Sequence, residues 1–278
     1  MIGRAVGPYR IVKLLGVNLG NIYLAEDASG EKVIIKIFHF VEAGKAAVED
    51  ASAQKAFVHD NAVRFFDTGF TENGLPYLAF EYLNGQSLDE LLKDEQPLPI
   101  SRAGAIVLQC CRALQAAEER GFVHPELKPH DIILVKQGER ADFIKMVGFT
   151  PNPPKKTRYP RIPPPAYISP EQIAGNAADG RSSIYTLGVI LFQMLTGKLP
   201  FPARPFKDAM LAHLQRPPPR PSVLNPELPA DVEAIILKML AKAPKDRYQS
   251  MAELHETLLG CMERLGISTG LPFLCSDS

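Results

Sequence analysis

The segment from residue 124 to residue 131, HPELKPHD, brings together side chains that can do chemistry. Glu126 and Asp131 supply carboxylates, which act as general bases or as ligands for hard metal ions. Lys128 places a positive charge between them, and an apolar run, IILV, follows. The segment is therefore a catalytic loop, working or damaged, or a turn whose charged side chains only face solvent.

The elements that must position this segment change character along the chain. The first eighty residues hold short β-branched and aromatic runs separated by Gly, Asn and Asp, which is typical of strands. We predict five strands, at residues 9–15, 21–27, 32–38, 63–70 and 76–83. A stretch between the third and fourth strands, residues 43–57, is helical in composition.

From residue 100 onward the apolar period becomes helical. One stripe follows helical spacing and consists of Ala103, Val107, Cys110, Leu114 and Ala117. Three further helices are predicted at residues 183–197, 230–240 and 250–266. The first of them ends at Gly197, and the last begins at Ser250 with Glu253 as a capping box. A small β-rich lobe is thus expected to precede a larger helical lobe.

Composition restricts the classes of partner. Lys and Arg total 31 against 31 Asp and Glu, so no basic surface field attracts nucleic acid or an anionic membrane. The chain has no signal-peptide pattern and no uninterrupted run of about 18 apolar residues. Its four cysteines lack metal-ligand spacing and are interpreted as reduced thiols. We therefore expect a cytoplasmic protein without a membrane span or a nucleic-acid partner.

Ordered motifs along residues 9–265 resemble those of a bacterial Ser/Thr protein kinase domain of the eukaryotic-like type. YRIVKLLGVNLGNIYLAED is similar to its glycine loop and flanking strands, VIIK to its lysine strand, and YLAFEYLNGQSL to its hinge. HPELKPHD resembles the catalytic loop, VGFT the metal-binding triplet, and AYISPEQ the end of the activation segment. SIYTLGVILFQMLTGKLPF and LAKAPKDRYQSMAEL resemble the central helix and the closing helical motif.

This resemblance implies an α+β, bilobal protein-kinase-like fold. The small lobe, residues 1–83, would hold a five-stranded antiparallel sheet with one helix, and the larger helical lobe would span residues 84–266. Residues 267–278 would form a tail or a linker.

The resemblance also assigns roles to individual residues. Residues implied to contact a nucleotide are Gly16, Gly20, Ile22, Ile34, Lys36, Phe80, Glu81, Leu83 and Ile133. The ion-pair partner of Lys36 aligns with Asp50, beside Glu49. The catalytic residues would be Glu126 and Lys128, with Asp131 as a weak candidate metal ligand. Residues with implied structural roles are His124, Phe149, Glu171 and Arg247, the last two as an ion pair.

The chain departs from the family pattern where the chemistry is done. Glu126 replaces the aspartate that accepts the substrate proton, and the extra methylene shifts the carboxylate by roughly 1.5 Å. Pro125 replaces the arginine that would bind a phosphorylated activation loop. The decisive change is Gly148, which stands where the family has its principal Mg²⁺-binding aspartate.

Further departures affect the surroundings of the site. Pro164 stands in place of a threonine that supports the catalytic aspartate, and Ser183 in place of an aspartate that holds the catalytic loop. Ile34 replaces the small alanine that lies against adenine, and the middle glycine of the glycine loop becomes Asn18 or Val17. These changes leave ATP binding open and disfavour Mg²⁺.

Three functions remain as alternatives. The favoured one is a pseudokinase, a kinase-like domain that binds a protein partner as a scaffold or allosteric regulator. The second is a weakly active kinase that uses ATP with one metal ion on Asp131, and the third is a metal-independent nucleotide sensor. In a simpler interpretation, Glu126 and Asp131 are surface carboxylates that a non-catalytic loop has retained. In the same interpretation, His124 is a core residue that hydrogen-bonds to the backbone.

Overall fold

The computed structural model describes residues 1–17, 20–41, 48, 55–137, 140–151, 165–201 and 203–268. Several predicted features lie outside these ranges. They are most of the helix at 43–57, the candidate ion-pair partners Glu49 and Asp50, and Asn18, Pro164 and the tail after residue 268.

The first lobe is an antiparallel sheet of six strands in the order β1-β2-β3-β4-β6-β5. The strands are β1 (Ala5–Val6), β2 (Tyr9–Val17), β3 (Gly20–Glu26), β4 (Lys32–Phe38), β5 (Phe65–Phe70) and β6 (Pro76–Glu81). All five predicted strands are present. The described sheet has a sixth strand, so the predicted number of strands was wrong. The additional strand, β1, has two residues and is too short for an alternating pattern to reveal it.

The two faces of this sheet differ. Residues on one face, among them Val33, Ile35 and Ile37 of β4, form a buried apolar cluster with Tyr23 and Tyr77. The alternate residues of β4, Ile34 and Lys36, are only half-buried. Because side chains alternate along a strand, this second face is the one that can meet a ligand or the other lobe.

The second lobe is mainly helical. Its helices are α1 (Leu88–Asp94), α2 (Ile100–Glu119), α3 (Pro170–Ile173), α4 (Gly180–Thr196), α5 (Phe206–Gln215), α6 (Ala230–Met239) and α7 (Met251–Arg264). Its short strands are β7 (Gly85–Ser87), β8 (Phe122–Val123), β9 (Ile132–Gln137), β10 (Arg140–Met146) and β11 (Thr150–Pro151). They form a sheet β10-β9-β7 and a pair β11-β8. The predicted α+β, two-lobed fold is confirmed, and none of the described helices is long and apolar enough to cross a membrane.

Helix α4 is the centre of the second lobe. Its side chains from Ile184 to Phe192 are buried on all sides, as expected for a helix without a polar face. Asp179 caps it by accepting a hydrogen bond of 2.8 Å from the backbone N–H of Arg181. The helix ends at Gly197, which has the left-handed φ of 70° that favours glycine at this position.

Helix α7 begins at Ser250 as predicted, but its capping box is only half formed. The Ser250 hydroxyl accepts from the backbone N–H of Glu253 at 3.1 Å. The Glu253 carboxylate does not close back on Ser250, because it accepts from the backbone N–H of Gln249 at 2.6 Å and from Lys238 at 3.1 Å.

Two buried amides join the lobes. Gln109, on α2, accepts hydrogen bonds from Asn61 Nδ2 at 3.1 Å and from the backbone N–H of Ile144 at 3.0 Å. Gln109 Nε2 donates to the carbonyl of Asp142, and Asn61 Nδ2 also donates to the carbonyl of Ile144. Asn61 and Gln109 are 4% and 1% exposed, so these hydrogen bonds replace water that cannot reach them.

Replacement of Gln109 by leucine therefore has a specific cost. The substitution keeps the size of the side chain but leaves Asn61 Nδ2 and the Ile144 N–H with fewer acceptors, so the free energy of unfolding should fall by about 2–4 kcal/mol. Gln115→Leu on the same helix is the control, since Gln115 is half-buried and, among the described residues, its side chain bonds only to the exposed Glu119. Urea denaturation of both variants measures the difference, and equal losses would contradict the role of Gln109.

His213, on α5, is a fully buried imidazole. Its Nδ1 lies 2.9 Å from the Tyr185 hydroxyl, and its ring packs edge to face on Phe201 with centroids 4.8 Å apart. Burial and the neighbouring charge of Lys242 lower the pKa of His213 to about 4. The folded chain therefore keeps this histidine neutral throughout the physiological range.

The depressed pKa of His213 predicts how stability depends on pH. In the unfolded chain the imidazole titrates near 6.5, so below that pH the unfolded state takes up a proton that the folded state does not. The contribution of His213 to the free energy of unfolding should be constant above pH 6.5. It should fall by about 3 kcal/mol as the pH is lowered to 4. Urea denaturation between pH 7 and pH 4 measures the slope. His213→Asn should flatten it, and an unchanged slope in that variant would contradict the assignment.

Candidate catalytic and nucleotide-binding site

The candidate catalytic loop runs from β8 to β9 and includes a short 3-10 helix, Pro129–Asp131. His124, at its base, is 7% exposed, and burial lowers the pKa of the imidazole. The ring is therefore neutral, and its Nε2 donates to the carbonyl of Val147 at 2.6 Å. The histidine thus holds the loop against the strand that leads to Gly148.

Lys128 and Asp131 form an ion pair within the loop. Lys128 Nζ lies 3.1 Å from one carboxylate oxygen of Asp131 and 3.0 Å from the other. The side chain of Asp131 is only 9% exposed. The carboxylate considered as a metal ligand is thus already neutralised, and a cation that bound there would have to displace the lysine.

Gly148 leaves no carboxylate at the principal metal position. Its φ is +101°, a backbone conformation that residues with side chains rarely adopt. A Cβ at this position would lie 3.0 Å from His124 Nε2, which is tighter than an ordinary contact. Within the described ranges, no group of three or more His, Cys, Asp or Glu is placed to hold a metal ion.

Gln172, on α3, holds the candidate catalytic loop. Its Nε2 donates to the carbonyl of Pro125 at 3.0 Å, and its Oε1 accepts from the backbone N–H of Ser169. Pro125 has no backbone N–H to donate, so the loop is held at this residue through its carbonyl. Glu126 is half-buried in the same loop.

Phe149 packs between the lobes, as predicted. Its ring centroid lies 5.2 Å from that of Phe57, in the first lobe, and 5.4 Å from that of His124. Phe57 in turn stacks on Phe122, in β8, with centroids 5.1 Å apart. This contact depends on apolar area and not on a metal.

Four of the predicted nucleotide residues share one face of the first sheet. In the strand register Ile22 lies opposite Lys36, and Ile34 lies opposite Phe80. All four are half-buried. Lys36 Nζ lies 5.2 Å from the ring centroid of Phe38, and Phe80 packs edge to face on Phe65. The four side chains thus lie on one face, which is largely aliphatic and aromatic.

Packing requires a glycine at one of the two glycine-loop positions, Gly20, and not at the other, Gly16. Gly20 is buried, and a Cβ there would collide with the backbone carbonyl of Ile37 on β4. This glycine is required by strand pairing whether or not a nucleotide binds. A Cβ on Gly16 would meet nothing within 4 Å among the described atoms, so packing does not require that glycine.

The hinge residues are also tied to the second lobe. The Glu81 carboxylate accepts from Lys145 Nζ at 2.7 Å and from the backbone N–H of Arg64 at 3.1 Å. Its side chain therefore joins β6 to β10 instead of facing a ligand. Leu83 and Ile133 are half-buried, and Ile133 is paired with Ser87 between β9 and β7.

The predicted ion pair of Glu171 and Arg247 is present and buried. Arg247 donates to both carboxylate oxygens, at 2.7 and 2.8 Å, and its side chain is 0% exposed. Burial alone would raise the pKa of Glu171, but hydrogen bonds from Arg247 and Ser182 hold it below its usual value. The carboxylate stays ionised in the lobe interior.

Sequence reasoning missed the polar residues that hold the site in place. These are Asn61, Gln109, Lys145 and Gln172. One signal was available, because Gln109 interrupts a helix that is otherwise apolar from Ala103 to Cys111. A polar residue inside such a run indicates a buried hydrogen-bonding group.

Gly148→Ala tests whether the backbone and His124 leave room for a side chain at position 148. The strained φ and the contact with His124 should lower the free energy of unfolding by about 1–3 kcal/mol. Gly175→Ala is the matched control, since Gly175 has a φ of +75° and nothing within 4 Å of the added methyl. Urea denaturation should show the larger loss at position 148. If Gly148→Ala lost no more free energy of unfolding than Gly175→Ala, His124 would not be restricting side chains at position 148.

Comparison with known proteins agrees with this architecture. The protein kinase domain family matches residues 9–259. The chain is 36% identical over 271 residues to the serine/threonine-protein kinase Pkn1 of Myxococcus xanthus, covering 93% of the chain and 39% of that protein. It is 33% identical over 265 residues to PrkC of Bacillus subtilis, covering 92% of the chain and 41% of that protein.

A third relative is the serine/threonine-protein kinase PksC of Streptomyces coelicolor, 32% identical over 281 residues, with 92% of the chain and 50% of that protein covered. The chain thus spans half or less of the length of these relatives. The match to the domain family covers nearly all of the described residues, with both lobes included. The chain belongs to the protein kinase domain family.

Proposed function

We propose that this chain is a pseudokinase, a kinase-shaped domain that binds a protein partner in bacterial signalling as a scaffold or allosteric regulator. The observation that carries the proposal is Gly148, which has no carboxylate and a backbone conformation that disfavours one. Kinase catalysis depends on metal neutralisation of phosphate charge, worth several kcal/mol of transition-state stabilisation. Without that carboxylate the reaction loses its largest electrostatic contribution.

The ion pair of Lys128 and Asp131 supports the same proposal. In an active site the lysine would face the transferred phosphate and position 131 would hold a second metal ion. Here the two side chains neutralise each other at 3.0 Å. Each would have to leave the other before it could contact a nucleotide, so both roles are weakened together.

A protein-binding role is supported by what the chain retains. The buried pair of Glu171 and Arg247, the packing of Phe149 and the interlobe hydrogen bonds of Gln109 keep a rigid two-lobed surface. None of these contacts serves phosphoryl transfer directly. A rigid surface of this kind presents a constant shape to a partner, which is what a scaffold requires.

We place the lobe boundary at the hinge, with residues 1–83 and 84–266 as the two lobes and 267–278 as a tail or linker. The end of the first sheet at Glu81 and the pairing of Gly85–Ser87 with the second lobe support this division. We also propose a cytoplasmic location. The buried free thiols of Cys110, Cys111 and Cys261 fit a reducing compartment.

A weakly active kinase is the second candidate, and the named relatives favour it because all are serine/threonine-protein kinases. Glu126 would then act as the base and Asp131 would hold a single metal ion. A metal-independent nucleotide sensor is the third. The shared face of Ile22, Ile34, Lys36 and Phe80 favours it, since an adenine can pack on aliphatic side chains without a cation.

A thermal-shift titration with ATP separates these candidates. We expect the melting temperature to be the same with ATP and EDTA as with ATP and Mg²⁺, because the metal adds no affinity at Gly148 or Asp131. A shift that requires Mg²⁺ would contradict the proposal. A metal-independent shift would support the sensor, and it is compatible with a scaffold.

Phosphate transfer to a generic protein acceptor completes the test. The chain and Lys128→Ala should incorporate equal, background amounts of labelled phosphate from ATP with Mg²⁺ or Mn²⁺. Incorporation by the unaltered chain above that of Lys128→Ala would establish the weak kinase instead. The same melting temperature for both proteins is required as a control for folding.

A further inference from the structure

A cavity of about 350 Å³ lies in the second lobe, beneath the candidate catalytic loop. Its apolar wall consists of Leu114, Ala117, Phe122, Leu127 and Met251. Cavities of this volume hold small organic molecules in many proteins. All of its lining residues lie between 114 and 251, so it is separate from the nucleotide face of the first lobe.

The wall includes two of the departures from the family pattern. Pro125 and Ser183 both line the cavity and both replace longer, charged residues. The cavity is therefore bounded in part by residues that depart from the family's motif pattern.

One end of the cavity carries carboxylates. Asp179 is bonded to the guanidinium of Arg181 at 2.7 Å, which neutralises it. Glu118 lies beside it, close enough to Gly180 that a Cβ there would meet its oxygens at 2.7 and 2.8 Å. Among the described residues Glu118 has no ion-pair partner, and partial burial with the charge of Asp179 raises its pKa. A cation at this end would satisfy the carboxylate.

We propose that this cavity binds a small organic cation whose apolar body contacts Leu114, Phe122 and Met251 and whose ammonium group pairs with Glu118. The apolar wall and the carboxylate of Glu118 at one end match the two halves of such a molecule. An anion would be repelled by the same end, and a neutral apolar molecule would gain nothing from the Glu118 carboxylate, which is exposed to water.

An occupant would touch the candidate catalytic loop. Pro125, Glu126 and Leu127 line the cavity from one side and Gln172 from another, and Gln172 donates to the Pro125 carbonyl across that wall. Binding in the second lobe would thus be sensed by the loop that faces the nucleotide cleft. This inference goes beyond the scaffold role and does not depend on it.

Isothermal titration calorimetry with 4-phenylbutylamine tests the charge requirement, with the uncharged 4-phenylbutanol as the reference compound. The amine should bind the unaltered chain, and the alcohol should bind about tenfold more weakly or not at all. Glu118→Gln should weaken the amine about tenfold and leave the alcohol unchanged. Glu119→Gln, one residue further on the same helix and outside the cavity lining, is the matched control and should bind the amine normally.

A second variant tests the location. Ala178 is exposed and lines the cavity, so Ala178→Leu should narrow it without disturbing the core, and should weaken the amine while the melting temperature stays the same. No binding of the amine, equal affinity for amine and alcohol, or unchanged affinity in both Glu118→Gln and Ala178→Leu would overturn the proposal. All these outcomes are independent of phosphate transfer, so they do not bear on the proposed scaffold role.

Discussion

The buried guanidinium of Arg247 is the interaction on which the second lobe depends. Its five N–H donors make five hydrogen bonds, to both oxygens of Glu171 and to the carbonyls of Arg181, Ala241 and Lys242. One side chain thus joins α3, the start of α4 and the turn before α7. Removal of either member of such a pair leaves an uncompensated buried charge, which costs about 3–5 kcal/mol.

The residues that hold the second lobe together are therefore different from the residues of the candidate catalytic site. The segment that carries Glu171 also carries Gln172, which holds the catalytic loop through the Pro125 carbonyl. The loop is therefore kept in place by the lobe interior and by His124, without a metal ion or a nucleotide. The residue at position 148 can therefore differ from the aspartate of the family pattern while the frame that supports the loop remains. Family membership consequently defines the architecture of this chain more firmly than its activity.

The sequence allowed most of the architecture to be predicted, because strands and helices leave periodic apolar patterns. The pair of Glu171 and Arg247 followed from motif resemblance. The ion pair of Lys128 and Asp131 did not, since separate roles were assigned to two residues whose charges prefer each other at close range. Its formation depends on the turn of the loop in three dimensions, which residue types alone do not specify.

The interlobe hydrogen bonds of Asn61 and Gln109 were missed for a related reason. Their partners are backbone groups of Ile144 and Asp142, which every residue possesses and no sequence motif marks. The sixth strand, β1, was missed because two residues carry no period. These two features were therefore missed because one is very short and the other depends on backbone atoms brought together from distant parts of the chain.

The conformation at Gly148 has an evolutionary consequence. A lineage that regained the metal-binding aspartate would first place a side chain on a backbone with a φ of +101° and 3.0 Å from the imidazole of His124. Such an intermediate would carry the cost of the new residue without its benefit until His124 or the neighbouring backbone also changed. Position 148 is therefore coupled to His124, and substitutions there are constrained by stability before any gain in metal binding can be selected.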